Sequence, residues 1–231
     1  MSRARALLEV LICSGYPTQF LVLAVLWSAG LGPRAADGGG LSLAFVALLS
    51  LADAALLVGL VIYFLTRRGE RPPDVFIGAR PVLPEAGRGI LLVPASFLLA
   101  AAVIVTIRTA LPSLHNVAVN PFEDLMRTPG QRAVLAVVVM IAGGLREEVQ
   151  RAFILHRFQQ SLGGAWLGLG LFSVVFGLGH LQQGRDVAVA TAVLGAFWGA
   201  IYITRRSIVS PAIAHAGFNV SEIVRNAVGG G

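Results

Sequence analysis

Long apolar stretches recur along this 231-residue sequence and constrain its fold more than any other feature. A helix that crosses a bilayer needs about 20 predominantly apolar residues, and such stretches occur at 9–32, 41–66, 89–111, 132–158, 163–181, 187–204 and 207–226. They lack the polar–apolar alternation of barrel strands, and a helix satisfies its own backbone hydrogen bonds in lipid. The sequence therefore predicts an all-α fold, a polytopic membrane helix bundle of about seven transmembrane helices with six or eight as alternatives. The whole chain, 1–231, is expected to be a single integral membrane domain.

The composition agrees with a lipid environment. Hydrophobic residues make up 56% of the chain and charged residues 13%, against about 45–50% and about 25% in soluble domains, which excludes an ordinary soluble enzyme. The net charge of +6 comes from arginines that are scattered between the apolar stretches. Because they form no basic stripe, nucleic acid is not an expected partner. The lipid bilayer is the expected surrounding, and the oligomeric state stays open.

The arginine-rich loops predict the orientation in the membrane. The longest polar stretch, residues 67–88, carries five arginines and four prolines, and we expect it to be an extended loop. Because positive loops face the cytoplasm, this loop and the N-terminus are predicted to be cytoplasmic, in a bacterial cytoplasmic (inner) membrane. Arg157 is expected in a further loop on the same side.

Lipid disfavours charged residues inside a membrane-spanning stretch, and the fourth stretch carries four of them within six positions. Arg146, Glu147, Glu148 and Arg151 stand in the run GGLREEVQRAF. On one helix Arg151 can meet Glu147 at i, i+4 or Glu148 at i, i+3. A charged helix end at the membrane interface would explain this cluster without a function. Asp53, in the second stretch, would pair with an arginine or line a cavity.

Two further polar clusters occur in the later stretches. Phe176 and His180 are spaced i, i+4, and so are His215 and Asn219. A lone histidine at a helix end is more often a hydrogen-bonded residue than a catalyst, but three polar clusters on separate helices favour a shared site. Two GxxxG spacings would allow the helices to approach closely: Gly164 with Gly168, and Gly195 with Gly199.

The residue types in these clusters suit hydrolysis of an amide bond within the membrane. Carboxylates and imidazoles can activate a water by general base catalysis, and a histidine and an asparagine one turn apart can donate hydrogen bonds to a developing oxyanion. The same carboxylates and imidazoles could instead hold zinc, although the HExxH pattern is absent. Cys13 is the single cysteine, so no cysteine-based metal site or internal disulfide is expected.

In order and spacing, the three clusters resemble those of the CAAX protease and bacteriocin-processing family (CPBP, also called Abi) of intramembrane proteases. That family includes the CAAX prenyl endopeptidases. The resemblance covers residues 130–226, which are expected to be the core that carries the motifs. Phe176 and His180 match the PhexxxHis motif, and His215 and Asn219 match the HisxxxAsn motif.

The first motif departs from the family pattern of two glutamates, three residues and an arginine. Here only two residues separate Glu148 from Arg151. Alignment on the glutamates places Ala152 where the arginine belongs, whereas alignment on Arg151 places Arg146 where the first glutamate belongs. One helix position corresponds to about 100° of rotation, so the two alignments aim different carboxylates at the site.

The resemblance implies a role for each matched residue. A glutamate of the first motif would activate the water together with His180, and His215 and Asn219 would bind the oxyanion of the tetrahedral intermediate. Arg151 would orient a glutamate, and Phe176 belongs to the second motif as a supporting residue. The implied activity is that of an intramembrane endopeptidase, and the implied substrate is a membrane-anchored or lipidated peptide or protein.

No cofactor is expected, because a carboxylate and an imidazole can deprotonate water without a metal. Zinc is the alternative if the site is that of a metalloprotease. Two other functions are compatible with the sequence. One is a non-catalytic membrane scaffold or self-immunity protein that retains the fold, and the other is a small transporter with a glutamate–histidine relay.

Overall fold

The computed structural model describes residues 2–34 and 40–229, and these residues form helices joined by turns, without a β-strand. The predicted all-α, polytopic helix bundle is therefore confirmed. The α-helices are α1 (Arg3–Ile12), α2 (Tyr16–Ser28), α3 (Leu43–Thr66), α4 (Pro72–Phe76), α5 (Val82–Ala110), α6 (Pro129–Val138), α7 (Glu147–Ser161), α8 (Ala165–Leu178), α9 (Arg185–Arg205) and α10 (Val209–Gly229). A π-helix, Val139–Arg146, joins α6 to α7.

Within the described part of the chain, four helical units are long and apolar enough to cross a membrane. They are Arg3–Ser28, which comprises α1 and α2, followed by Leu43–Thr66, Val82–Ala110 and Arg185–Arg205. The other predicted stretches also fall on helices, namely α6 to α7, α8 and α10. Helix α8 has 14 residues, fewer than the about 20 that a full span needs.

Large apolar side chains cover the outside of the bundle. On α5, for example, Leu91 is 76% exposed and Leu98 is 73% exposed. A soluble monomer rarely presents such a surface to water. Lipid chains can cover this apolar surface, as expected for an integral membrane protein.

Helix α7 lies at the centre of the bundle and is buried on nearly every side. Its residues Ala152, Phe153 and Leu155 are fully buried in the main apolar core, to which α3 and α8 also contribute. Arg151 and Arg157 on the same helix are 0% exposed. Because charge is costly in such surroundings, each of these arginines needs an acidic partner.

The prediction that Arg157 lies in a loop is wrong, because it is part of α7. Its Nε donates a hydrogen bond to Glu9 at 2.7 Å, and its Nη1 donates to Glu70 at 2.6 Å. Glu9 belongs to α1, and Glu70 lies between α3 and α4. The arginine therefore ties the end of α7 to two other parts of the bundle.

The segment 67–88 is more helical than predicted. Helix α4 occupies Pro72–Phe76, and α5 begins at Val82, directly after Pro81. Proline is compatible with the first turn of a helix because the missing N–H has no partner there. The prolines that suggested an extended loop thus lie at the starts of helices. The extended-loop prediction is therefore wrong for these parts of the segment.

Candidate active site

The three polar clusters come from different helices and meet at one cavity. Glu147 begins α7, His180 follows the end of α8, and His215 and Asn219 lie one turn apart on α10. These four residues and Phe176 line a cavity of about 900 Å³. Helix packing therefore brings the three clusters to one place, as the sequence predicts.

The π-helix Val139–Arg146 brings the first motif close to α10. A Cβ on Gly144 would lie 2.6 Å from the Cβ of Ala216, and one on Gly143 would lie 2.5 Å from Nδ2 of Asn219. Only glycine allows the backbone to approach this closely. Local π-helical turns are frequent at functional sites, and this one directly precedes Glu147.

Glu148 is buried beside the cavity and contacts two other site residues. Its Oε1 accepts a hydrogen bond from Nη1 of Arg151 and another from Nδ1 of His215 at 3.0 Å. Because a carboxylate can only accept, the Nδ1 of His215 is the donor. Of the two pairings that the helical spacing allows, the structure shows that of Glu148 with Arg151.

Aromatic rings enclose the guanidinium group of Arg151. Its Cζ lies 5.1 Å from the ring centroid of Phe176, 5.4 Å from that of Phe172 and 5.9 Å from that of Trp198. Such cation–π contacts are favourable, most of all where water is excluded. A Cβ on Gly199 would lie 2.3 Å from Cδ1 of Leu169 and 3.0 Å from Cδ of Arg151, so this glycine of a GxxxG spacing makes room for both side chains.

Glu147 is placed differently from its neighbour in sequence. Its side chain is 19% exposed and lines the cavity, and its Oε2 lies 3.7 Å from Nε2 of His215. The imidazole of His215 therefore has a carboxylate on each side, Glu148 at Nδ1 and Glu147 at Nε2. Of the two glutamates of the first motif, Glu147 is the one that a molecule in the cavity can reach.

The direction of Arg146 bears on the alignment of the first motif. Its Nη2 donates to Oδ2 of Asp53 at 2.6 Å and its Nη1 donates to Oε1 of Gln150 at 3.0 Å. Arg146 does not line the cavity, whereas Glu147 does. The alignment on the glutamate pair therefore fits this geometry. Of the two expectations for Asp53, the structure shows the pairing with an arginine and not the lining of this cavity.

His180 is oriented by the backbone at the end of α8. Its Nδ1 lies 2.9 Å from the carbonyl oxygen of Phe176, which can only accept, so Nδ1 carries a proton. In the neutral ring Nε2 then keeps its lone pair. The ring of Phe176 contacts both histidines. Its centroid lies 5.0 Å from the ring centroid of His180 and 6.3 Å from that of His215.

Trp198 belongs to the site as well, although no sequence motif indicates it. It is 1% exposed and stacks on His215, with ring centroids 3.9 Å apart and planes inclined by 19°. Its Nε1 donates to Oγ of Ser96 at 3.1 Å. The stacked indole limits the rotation of the imidazole.

The residues at the site do not form a recognisable metal centre. Within residues 2–34 and 40–229, no group of three or more His, Cys, Asp and Glu side chains is arranged to hold a metal ion. His115 lines the cavity, but its Nδ1 lies 2.9 Å from Oδ2 of Asp186. His156 is paired with Glu70. The absence of a cofactor stays a prediction.

Residues 129–221, from the start of α6 into α10, match the family model described as type II CAAX prenyl endopeptidase Rce1-like. Neither a curated protein nor a solved structure matches the chain significantly. The matched segment contains Glu147, His180, His215 and Asn219. The resemblance to the CAAX protease family is confirmed for this segment.

Proposed function

We propose, from the Rce1-like segment at residues 129–221, that this protein is an intramembrane endopeptidase of the CAAX-protease type. It would hydrolyse a peptide bond in a membrane-anchored or lipidated peptide or protein. The observation that carries the proposal is the cavity onto which Glu147, His180, His215 and Asn219 all face. A base, a second water-binding group and two hydrogen-bond donors are what amide hydrolysis by water needs.

In the first step, Glu147 acts as the general base. It takes a proton from a water molecule while the water oxygen attacks the carbonyl carbon of the scissile bond. The unprotonated Nε2 of His180 accepts a hydrogen bond from the same water and orients it. The carbonyl carbon becomes tetrahedral, and its oxygen becomes an oxyanion.

His215 and Asn219 stabilise the oxyanion. The Nδ1–H of His215 donates to Glu148, so donation from Nε2 to the oxyanion requires the doubly protonated ring. The side-chain amide of Asn219 is the second donor. The C–N bond then breaks, Glu147 returns its proton to the leaving amine, and the products are a carboxylic acid and an amine.

Arg151, Phe176 and Trp198 act through these residues. Arg151 neutralises and orients Glu148, whose carboxylate in turn holds His215. The rings of Phe176 and Trp198 contact His215 from two directions. Preorganised donors stabilise a transition state because they need no rearrangement during the reaction.

The rest of the cavity indicates the kind of substrate. Its walls include apolar side chains from α5 and α9, among them Phe97, Ile104 and Leu194. An apolar wall next to polar reacting groups suits a lipid anchor or an apolar peptide segment. We further propose that the N-terminus and residues 67–88 face the cytoplasm of a bacterial inner membrane, and that no metal takes part.

Peptide cleavage by the purified protein in detergent or liposomes tests the proposal. The substrates are a fluorogenic peptide with a prenylated C-terminal cysteine motif and the same peptide without the prenyl group. We expect cleavage by the wild type, loss of it in Glu147→Gln and His180→Ala, and wild-type rates in Asp74→Asn. Asp74 is a suitable control because its side chain is 65% exposed and does not line the cavity.

Two results would contradict the proposal. If Glu147→Gln and His180→Ala both cleave like the wild type, these residues do not carry the reaction. If the wild type cleaves neither peptide nor a library of membrane-anchored peptides, the non-catalytic scaffold or self-immunity function becomes the better explanation.

A further inference from the structure

An ion pair inside the bundle joins α3 to the start of the first motif. Asp53 is 2% exposed on α3, and Arg146 is 6% exposed at the end of the π-helix. Oδ2 of Asp53 accepts a hydrogen bond from Nη2 of Arg146 at 2.6 Å. Asp53 lies outside the segment that matches the family model, and neither residue lines the cavity.

The guanidinium of Arg146 is also held by the junction of α1 and α2. Its Nη1 donates to Gln150, whose Nε2 donates to the carbonyl oxygen of Cys13 at 2.9 Å. Gly15 at this junction has φ +94°, and a Cβ there would lie 2.8 Å from Nη2 of Arg146. The guanidinium is therefore bounded by α3, by α7 and by the α1–α2 junction.

Stability alone is a poor explanation for this pair. Among the described residues, Oδ1 of Asp53 and Nε of Arg146 are buried without a hydrogen-bond partner. Removing charges from water is costly, and well-packed apolar residues often replace a buried ion pair without loss of stability. A pair that leaves two polar atoms unsatisfied is better explained by the geometry it imposes.

Arg146 directly precedes Glu147, and successive helix residues are rotated by about 100°. A fixed direction of the Arg146 side chain therefore fixes the directions of Glu147 and Glu148. We propose that Asp53 and Arg146 are positioning residues, which set the rotation of the first turn of α7 and so aim Glu147 into the cavity. The catalytic part of this inference rests on the proposed function, whereas the rotation itself is measurable without cleavage.

The rotation is tested by labelling a cysteine at position 147. Glu147→Cys is made in a Cys13→Ala background, which removes the single native cysteine, and its rate of reaction with a small water-soluble thiosulfonate is measured. We expect Asp53→Leu/Arg146→Leu to lower this rate several-fold. Gly59→Ala is the control on α3, because a Cβ there meets nothing within 4 Å. Equal rates in the double variant and the control would overturn the proposal.

The catalytic consequence is tested with the same double variant carrying Glu147. Apolar replacement of both partners avoids an unpaired buried charge but leaves Oε1 of Gln150 without its donor, so only a modest fall in melting temperature is expected. We expect kcat to fall about 100-fold, the effect of a small misplacement of a catalytic group, with KM unchanged. The conservative Asp53→Glu variant should recover part of kcat.

A double variant with wild-type kcat would overturn the positioning role. If the wild type itself cleaves no peptide, the proposed function fails, and the labelling experiment still decides whether the ion pair sets the rotation. The two failures are therefore distinguishable.

Discussion

Glu147 and Glu148 are neighbours in the sequence, yet only the first lines the cavity, and the second is 1% exposed. Both carboxylates contact His215. Oε1 of Glu148 lies 3.0 Å from Nδ1, and Oε2 of Glu147 lies 3.7 Å from Nε2. Adjacent helix residues point in directions about 100° apart. The two carboxylates therefore have different expected roles, and mutation can separate them.

Glu147→Gln should abolish cleavage and leave the fold intact, because a partly exposed carboxylate becomes an amide of the same shape. We expect a change in unfolding free energy within about 1 kcal/mol. Glu148→Gln should also destabilise the protein, by about 3–5 kcal/mol, because it leaves the buried Arg151 without its acidic partner. Peptide cleavage and thermal unfolding in detergent measure both effects. Equal loss of stability in the two variants would contradict the assignment.

Trp198→Ala should lower both stability and kcat, because the indole fills the core and stacks on His215. Truncation of a buried tryptophan costs about 3–5 kcal/mol. Trp198→Phe keeps an aromatic ring beside His215 and loses the hydrogen bond to Ser96, which is worth about 1 kcal/mol. We expect the phenylalanine variant to retain most of kcat. If both variants lose kcat equally, stacking is not what orients His215.

Gly143→Ala should reduce kcat with little effect on the fold, because its Cβ would displace the side chain of Asn219. Gly144→Ala should destabilise the protein, because its Cβ would meet α10 at Ala216. Gly59→Ala, whose Cβ meets nothing, is the matched control. Cleavage rates and melting temperatures of the three variants check this prediction. A wild-type rate for Gly143→Ala would argue against a role for Asn219 in oxyanion binding.

The stability contributed by Glu70 should depend on pH. Burial raises the pKa of this carboxyl, but hydrogen bonds from His156 and Arg157 outweigh burial and leave the pKa below its ordinary value. A carboxyl with a lowered folded-state pKa stabilises the protein above its unfolded-state pKa, and the effect is lost as pH falls through the folded-state pKa. The difference in melting temperature between the wild type and Glu70→Gln should thus be largest near neutral pH and become smaller below about pH 4. A difference that does not vary with pH would contradict this.

Metal chelators should not inhibit cleavage. The proposed reaction uses the Glu147 carboxylate as its base, so prolonged treatment with EDTA or phenanthroline should leave kcat unchanged. Metal analysis of the purified protein provides a second, activity-independent measurement. Inhibition that added zinc reverses, together with bound zinc in stoichiometric amount, would establish the metalloprotease alternative.

Part of the site was predictable because its motifs are local. The spacings of Phe176 with His180 and of His215 with Asn219 place each pair one helical turn apart, and helical geometry alone keeps the members close. The i, i+3 pairing of Glu148 with Arg151 follows from the same geometry. Trp198 was not predictable in this way, since it contacts His215 through the packing of α9 against α10.

The burial of Arg157 was mispredicted for a related reason. A charged residue at the end of an apolar stretch is usually placed at the interface. In this protein Arg157 is fully buried, because Glu9 and Glu70 approach it from other parts of the chain. Partners so distant in sequence leave no periodic signal around the arginine.

The sequence by itself determined the helical membrane fold and the three motifs, because hydropathy and helical spacing are properties of neighbouring residues. Only the tertiary structure decided which glutamate reaches the cavity. That choice depends on the rotation of α7, which is defined by the π-helix, by the close approach of Gly143 and Gly144 to α10, and by the contact of Arg146 with Asp53 on α3. These contacts join residues far apart in the chain, and their energies depend on distances that exist only after the helices have packed.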